Sequence, residues 1–591
     1  MEAAPRGRGA VLVALVLVWL ARGVSPLSPT MWAWGPNLGR FLPPWAGLAL
    51  VMLSLLPVVP ALGSSLEGAL SACGTALERP RGRLAFALLA GIVVLALPDR
   101  TWFTGDFLLR QGTSETGGLA ANFAHAMPLE VLIDRWLPML ATPGAGADPN
   151  AFTRVFECLL SAALAACAVS LADEWGLRGG ARAVAVAVAV FGGHLTAFTG
   201  LGRPAALGCL LTATTLLGSL RLLRADRGGA LLGVSLGLAL LAHRGALMLL
   251  PLWAFVVVRS VPRWRAGQVS SRRLAPAVLL PALCAAAIAP RMARVIVEFD
   301  LPRHVTLASG APRATPVVGH LGFGLLELLN LLWVLVPALP LALLARGPGL
   351  RSERRDGTTA MWVLSLSSIA VLLLIHPVQG VFRDLEVFAP AGLALSLHAG
   401  RGLGSWIGEA RGRTWLAAAI VAATVVPSLQ WLVHFHDPSR GMARARAFAV
   451  EAPRRSADET AQVWDFLAYR AFRASDWPVA LETARASAAG APNERALVMW
   501  AMARTYNHDA AGAESIYASL ASRYPGDPVV WLGLGGAAIA AGDTAGAARA
   551  NARLNSFAPG SRERRIVQRT AHDFPEMWPP LARAMGVDTT R

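Results

Sequence analysis

The residues of this chain that could do chemistry are few, and most sit where apolar runs end. Asp106, in DRTWFTGDFLLRQG, follows the apolar run 84–98 by a few residues, at the level where hydrocarbon gives way to water. A carboxylate there can act as general base on the hydroxyl of an amphiphile whose tail stays in lipid. His125 and Glu130 follow in HAMPLEVLIDRWL. His243-Arg244 interrupts the long apolar run 229–258, and Arg383, Asp384 and Glu386 fall in HPVQGVFRDLEVFAP. Arginine's planar, permanently charged fork suits phosphate oxygens, so Arg244 and Arg383 read as phosphate holders. Each has a plainer reading beside it: a solvated loop for Asp106, a hairpin apex for His243-Arg244, an internal ion pair for Arg383. No P-loop, GxGxxG, GxSxG or zinc-ligand spacing occurs, and Cys73, Cys158, Cys167, Cys209 and Cys284 form no CxxC pair. No cofactor is expected, and a divalent metal stays an open question.

The elements that position these residues follow from composition. The 591 residues are 54% hydrophobic and 15% charged, with a mean hydropathy of +0.49. Soluble domains run near 25% charged, so the expectation is an all-α, polytopic membrane protein. The net charge of +17, carried entirely by arginine because the chain has no lysine, lies largely in short loops between apolar runs. There it orients a membrane protein, and nucleic acid is not an expected partner. Candidate spans fall near 9–25, 41–62, 84–98, 152–172, 182–199, 204–221, 229–258, 274–290, 321–345, 359–375, 386–400 and 414–433. The first reads equally as a signal peptide. An arginine at the centre of a span costs about 2.5–3.5 kcal/mol, so 229–258 is expected to split at His243-Arg244. With that split, the loops around Arg79–Arg83, Arg178–Arg182, Arg221–Arg227, Arg259–Arg273, Arg346–Arg355 and Arg401–Arg413 share one side. The positive-inside rule makes that side cytoplasmic, giving thirteen crossings, an inner N-terminus and an outer C-terminal tail.

The texture changes after residue 435. A linker over 436–460 leads to a segment, 461–561, that repeats with a period of 34, and 562–591 reads as a capping helix and tail. Leu497, Trp500, Ala501, Asp509, Ala513, Leu520 and Pro525 recur in kind as Trp531, Leu534, Gly535, Asp543, Ala547, Leu554 and Pro559. A weaker copy holds Trp464, Leu467, Ala468, Asp476, Ala480, Ser487 and Pro492. The pattern resembles three tetratricopeptide repeats. That resemblance implies a stack of antiparallel helix pairs that binds a protein partner and has no chemistry of its own.

The membrane part also carries a resemblance. A helix, then Asp106 in a GDF context, then an amphipathic stretch with Pro128-Leu129-Glu130, resembles the first outer loop of the GT-C superfamily of polyprenyl-phosphate-sugar-dependent membrane glycosyltransferases. The likeness is to the bacterial subset that ends in tetratricopeptide repeats. LALLAHRGALMLLP (238–251) is similar to a helix in which relatives place a His and later a Pro. His376-Pro377, Gly380 and Arg383-Asp384-Leu385-Glu386-Val387-Phe388 stand where relatives write Asn-Pro, Gly and Arg-Asp-Trp-Asp-Leu-Phe. Two departures stand out: Leu385 replaces the tryptophan, and FGGHLTAFTG (191–200) offers His194 and Thr196 where relatives carry a glutamate. The resemblance implies an inverting transferase in a bacterial inner membrane, with Asp106 as base. Arg383, Asp384, His243, Arg244 and Glu130 would bind a polyprenyl-phosphate sugar. Two other expectations stand beside it: a non-catalytic membrane anchor whose repeats assemble an envelope complex, and a lipid-linked glycan ligase.

Overall fold

The computed structural model describes residues 8–104, 126–141, 149–200, 204–305, 324–345, 355–375, 380–409, 415–561 and 563–567. Among them every regular element is helical and there is no strand. The chain forms two compact units, Met1–Gly441 and Met442–Arg591.

In the first unit the helices are α1 (Arg8–Val24), α2 (Pro44–Leu55), α3 (Pro60–Ala76), α4 (Pro80–Ala96), the short α5 (Pro128–Val131) and α6 (Leu137–Ala141), and α7 (Pro149–Glu174). They continue as α8 (Gly179–Val190), α9 (Ala205–Ala225), α10 (Gly229–Ala242), α11 (Leu250–Arg265), α12 (Ser271–Val295), α13 (Leu325–Leu335) and α14 (Leu339–Leu344). Then follow α15 (Arg355–Leu374), α16 (Ala389–Glu409), α17 (Trp415–His436) and α18 (Pro438–Val450), the last reaching into the second unit. Among the described residues seven helices are long and apolar enough to cross a membrane. An eighth is added if Pro44–Val58 and Pro60–Ala76, bent by 88°, count as one span. Helix α1 shows why lipid is the natural solvent: it buries Val11, Leu15 and Val18 while Val13, Val16, Leu17 and Leu20 lie exposed. A helix apolar on both faces is stable only where its outer face avoids water.

Three expected spans are short. Helices α8, α10 and α13 have 12, 14 and 11 residues, and at 1.5 Å per residue each is shorter than a hydrocarbon core of about 30 Å. The expected span 41–62 ends early as well, because the chain turns sharply at Val59-Pro60 into α3.

The run 229–258 breaks at His243, whose backbone is extended (φ −159°, ψ 142°). A 3-10 turn over Arg244–Leu249 then leads into α11. The halves run in opposite directions. Helix α10 packs lengthwise on α12 through Gly229, Gly233 and Gly237, where a Cβ would lie 1.8 Å from the Arg273 carbonyl oxygen, 2.1 Å from that of Pro276 and 3.0 Å from Cys284 Sγ. This four-residue glycine spacing lets two backbones approach closely, as membrane helices do. Helix α11 returns: Arg263 near its end donates to the Leu223 carbonyl at 2.7 Å, beside the turn from which α10 departs. Gly228 makes that turn with φ +91°, and a Cβ there would sit 2.7 Å from Arg221 Cβ.

Ion pairs then identify one end of the bundle. Asp173 binds Arg83 and Arg182, each at 2.7 Å. Glu174 gathers Arg221, Arg224 and Arg227. Arg259 pairs with Asp356 at 2.7 Å, and Arg401 donates to Thr358 at 2.8 Å. Arginines of the expected loops around Arg79–Arg83, Arg178–Arg182, Arg221–Arg227 and Arg259–Arg273 thus meet at one end with Arg401, while 346–354 and 410–414 lie outside the described residues. The opposite end holds Pro98–Thr104, Gly192–Gly200, the 243–249 turn and Gly380–Phe388. There the Asp99 N–H donates to the Thr199 carbonyl at 2.9 Å and the Arg100 N–H to that of Phe435, also at 2.9 Å.

The second unit consists of α19 (Ala457–Arg473), α20 (Trp477–Gly490), α21 (Glu494–Tyr506), α22 (Ala510–Arg523), α23 (Pro528–Ala541) and α24 (Thr544–Asn555). The expected linker 436–460 is largely helix, since α18 occupies Pro438–Val450. The recurring aspartates each open the second helix of a pair. Asp476, Asp509 and Asp543 accept backbone N–H groups of Val479, Gly512 and Ala545 at 3.3, 3.1 and 3.0 Å. Such caps satisfy donors that a helix start leaves open. Ala501, Ala513, Ala537 and Ala550 are fully buried around Tyr517 and Leu520, so small side chains set the close helix spacing.

Candidate functional site

The site is built at the end of the bundle opposite the arginine loops. Asp106, His125, His376 and Pro377 lie outside the described residues. The chain on either side of 105–125 is placed, however. Before it, Asp99 is buried and its carboxylate accepts the N–H groups of Thr101 and Trp102 at 2.7 and 2.8 Å, holding a tight turn. Phe103 then packs against Phe382, ring centroids 5.3 Å apart. After it, Arg291 of α12 donates to the Ala126 carbonyl oxygen at 2.6 Å through Nη2 and at 2.9 Å through Nε. The segment that carries Asp106 therefore leaves beside Phe382-Arg383 and returns beside α12.

Glu130, the third residue of α5, is 3% exposed. One carboxylate oxygen accepts the Met127 N–H at 3.3 Å, an N-terminal cap on its own helix. The same side chain lines a narrow cleft with Asp134, Phe152, Phe156, Glu157 and Ala242. Ala242 is the last residue of α10, and His243, next in the chain, is not among the residues that line the cleft. His243 Nδ1 accepts the Gly245 N–H at 3.0 Å, which caps the 3-10 turn and fixes the ring. Its side chain has a structural task whatever else it does.

Arg244 is not the solvated hairpin apex that the sequence allows. Its Nε lies 2.6 Å from Asp300 Oδ2, its guanidinium sits 5.6 Å from the Phe299 ring, and the side chain is 18% exposed. An arginine half-withdrawn from water gains from a carboxylate partner, and Asp300 past α12 supplies it. Arg383, Asp384 and Glu386 are all buried. They stand in a turn begun by Gly380 at φ +86°, with the Asp384 N–H donating to the Gly380 carbonyl at 3.1 Å. Phe382 anchors this turn between Trp34 and Phe103. Arg383 and Asp384 do not line the cleft that holds Glu130. The predicted residues thus do not share one cleft: Glu130 lines it, His243 follows Ala242 of its lining, and Arg383 and Asp384 stand in the Gly380 turn.

Glu157 is the residue that sequence reasoning missed. It is 2% exposed on α7, in a helix otherwise apolar enough to span a membrane, and its carboxylate accepts the Gly200 N–H. Acids inside a span are costly and mark function by default; that was the signal available. Its position bears on the departure in FGGHLTAFTG. That segment has no glutamate, and its own His194 is fully buried, yet Glu157 brings a carboxylate to the segment's end from another helix. One turn earlier, Arg154 lays its stem over Gly200, 3.0 Å from where a Cβ would be. The cleft therefore has three carboxylates, two phenyl rings and a neighbouring arginine. Carboxylates accept hydroxyl protons and the rings offer an apolar face, a lining suited to a hydroxyl group, in a space of about 10 Å³ that takes little more than one water. Among the described residues no group of three His, Cys, Asp or Glu side chains has the geometry to hold a metal.

Comparison with known protein families, with curated proteins and with solved structures finds no match.

Proposed function

We propose that the chain is an inverting glycosyltransferase that takes a sugar from a polyprenyl-phosphate donor at the outer face of a bacterial inner membrane. The observation that carries this reading is the cleft in which Glu130, Asp134 and Glu157 meet beside both ends of the segment bearing Asp106. In this reading the cleft takes the hydroxyl-bearing group, Asp106 removes the acceptor proton, and Arg383 with Arg154 faces the departing phosphate. Asp384, His243 and Arg244 hold the surrounding turns. With the seven long helices and the bent α2–α3 pair, helices α4, α8, α10, α13 and α16 would make thirteen crossings, with the N-terminus cytoplasmic and the tail outside as three tetratricopeptide repeats for a protein partner. Glu157 answers the missing glutamate of FGGHLTAFTG, which is the strongest sequence argument for a decayed, non-catalytic scaffold.

The test is sugar transfer from a polyprenyl-phosphate donor by purified wild type and Asp106→Asn. A positioned base is worth about 10²–10⁴-fold in rate, so transfer should fall by that factor while donor binding persists. Arg383→Ala should weaken donor binding together with turnover. Equal rates in wild type and Asp106→Asn would remove Asp106 from the site. No transfer by well-folded wild type across several donors would favour the scaffold.

A further inference from the structure

The opposite, arginine-rich end holds a second feature that this function does not use. Several of its carboxylates are engaged among the described residues: Asp173 with Arg83 and Arg182, Glu174 with Arg221, Arg224 and Arg227, Asp356 with Arg259. Asp226 accepts the Ser270 N–H at 3.3 Å. Arg265, which ends α11, and Arg272 and Arg273, in the first turn of α12, flank the loop between these helices; they are exposed and have no acidic partner among the described residues. The loop is nevertheless held in place. Trp264 Nε1 donates to Ser271 Oγ across it at 2.8 Å, and Arg263 donates to the end of α9. Three guanidinium groups are thus presented on a fixed frame rather than dispersed by partners.

Apolar surface continues directly from these charges. On α12, Arg272, Pro276, Leu279 and Leu283 follow one helical face, and Leu279 and Leu283 are 56% and 65% exposed. Seven residues of helix separate Arg272 from Leu279 by about 10 Å. On α11, Val258, 68% exposed, stands in the same relation to Arg265. A cation at the helix end with an exposed aliphatic face two turns deeper matches a phospholipid lying along the helix, phosphate at the loop and acyl chains on the leucines.

We propose that the α11–α12 loop and the adjoining face of α12 form a binding site for an anionic phospholipid. Arg265, Arg272 and Arg273 hold its phosphate headgroup, and Leu279 and Leu283 hold its acyl chains. The partner is a lipid rather than a soluble polyanion because the charges border apolar surface that only an acyl chain covers favourably. Basic residues at the surface attract anionic lipid by about fivefold in affinity per charge.

The test is native mass spectrometry of the full-length, detergent-solubilised protein with added phosphatidylglycerol or phosphatidylcholine. Wild type should retain phosphatidylglycerol preferentially. Arg265→Gln, Arg272→Gln and Arg273→Gln combined should lose about a hundredfold in apparent affinity, and the corresponding triple lysine variant should retain most of it. Leu279→Asn with Leu283→Asn leaves the loop intact and should also weaken retention, which keeps the test decisive if the glutamine variant misfolds. Equal retention of the two lipids by wild type, or unchanged retention in the asparagine variant, would overturn the proposal. Full displacement of phosphatidylglycerol by inorganic phosphate would identify a free-phosphate site and overturn the lipid.

Discussion

The bundle and the tail use the same chemical device for different ends. In the tail, Asp509 accepts the Gly512 N–H at 3.1 Å while its side chain stays 47% exposed, and the arrangement recurs at Asp476 and Asp543. In the bundle, Glu157 accepts the Gly200 N–H from a place that is 2% exposed and that nothing repeats. A cap at the surface is replaceable by water, so its value is modest and its position is dictated by the helix period. A carboxylate withdrawn from water is costly unless its surroundings compensate, so it persists where something other than packing requires it. Regularity marks the tail as architecture, and irregularity sets apart the end of the bundle that holds Glu157.

The largest expected effect tests that contrast directly. Glu157→Ala leaves the Gly200 N–H without its acceptor in a buried place and should cost about 1–3 kcal/mol. Asp509→Ala should cost about 1 kcal/mol and only in the tail. Glu157→Gln can still accept the N–H, so it should recover most of the stability while transfer stays low. Unfolding followed separately in bundle and tail, alongside the transfer assay, reads all three. Full activity in a stable Glu157→Gln variant would leave Glu157 as a structural cap like Asp509.

A smaller effect separates buried from exposed charge at the arginine end. Asp173 binds Arg182, whose side chain is 7% exposed, whereas the Arg259–Asp356 pair is 54% and 33% exposed. Asp173→Asn should destabilise the bundle by about 1–2 kcal/mol, because it takes the closer carboxylate from a guanidinium that water barely reaches and leaves Glu78, at 3.5 Å, as its acid. Asp356→Asn should cost about 0.5 kcal/mol or less and lose even that in high salt. Equal costs from thermal unfolding would mean that burial does not rank these pairs.

How much of this was legible beforehand follows the same division. The tail's helix starts could be read because the aspartates, small residues and prolines return at fixed intervals, and each has a local physical task. The break at His243 was legible too, since an arginine inside an apolar run has a known cost. Arg244's partner was not, because Asp300 arrives from the far side of α12 and pairing across space leaves no trace in spacing. The turn at Val59-Pro60 was hidden by apolar residues that continue across it. Glu157 was passed over as one acid in a long apolar run, although its isolation was the clue.

The smallest effect concerns pH and belongs to the tail. Glu494 opens α21, and its carboxyl is raised from the ordinary 4.5 to about 7, first by a hydrogen bond with the Asp527 side chain, then by burial and by Asp527's charge. A carboxyl that holds its proton more tightly when folded favours folding while that proton is bound. Its contribution is complete below about pH 4.5 and lost as pH rises to about 7, so tail stability should fall across that window and level off above it. Glu514, raised by burial and then by Asp543, adds to the same slope. Glu494→Gln keeps a donor for Asp527 and removes the titration, so only Glu494's share of the slope should disappear. Because the group is largely exposed, solvent screens the effect, and the gain should be a rise of about 2–4 °C in the tail's Tm at pH 8 with none at pH 4.5. Calorimetry of the full-length protein at the two pH values measures it. The same pH dependence in wild type and Glu494→Gln would mean that Asp527 and Glu494 do not share a proton, leaving the tail's acids as independent caps.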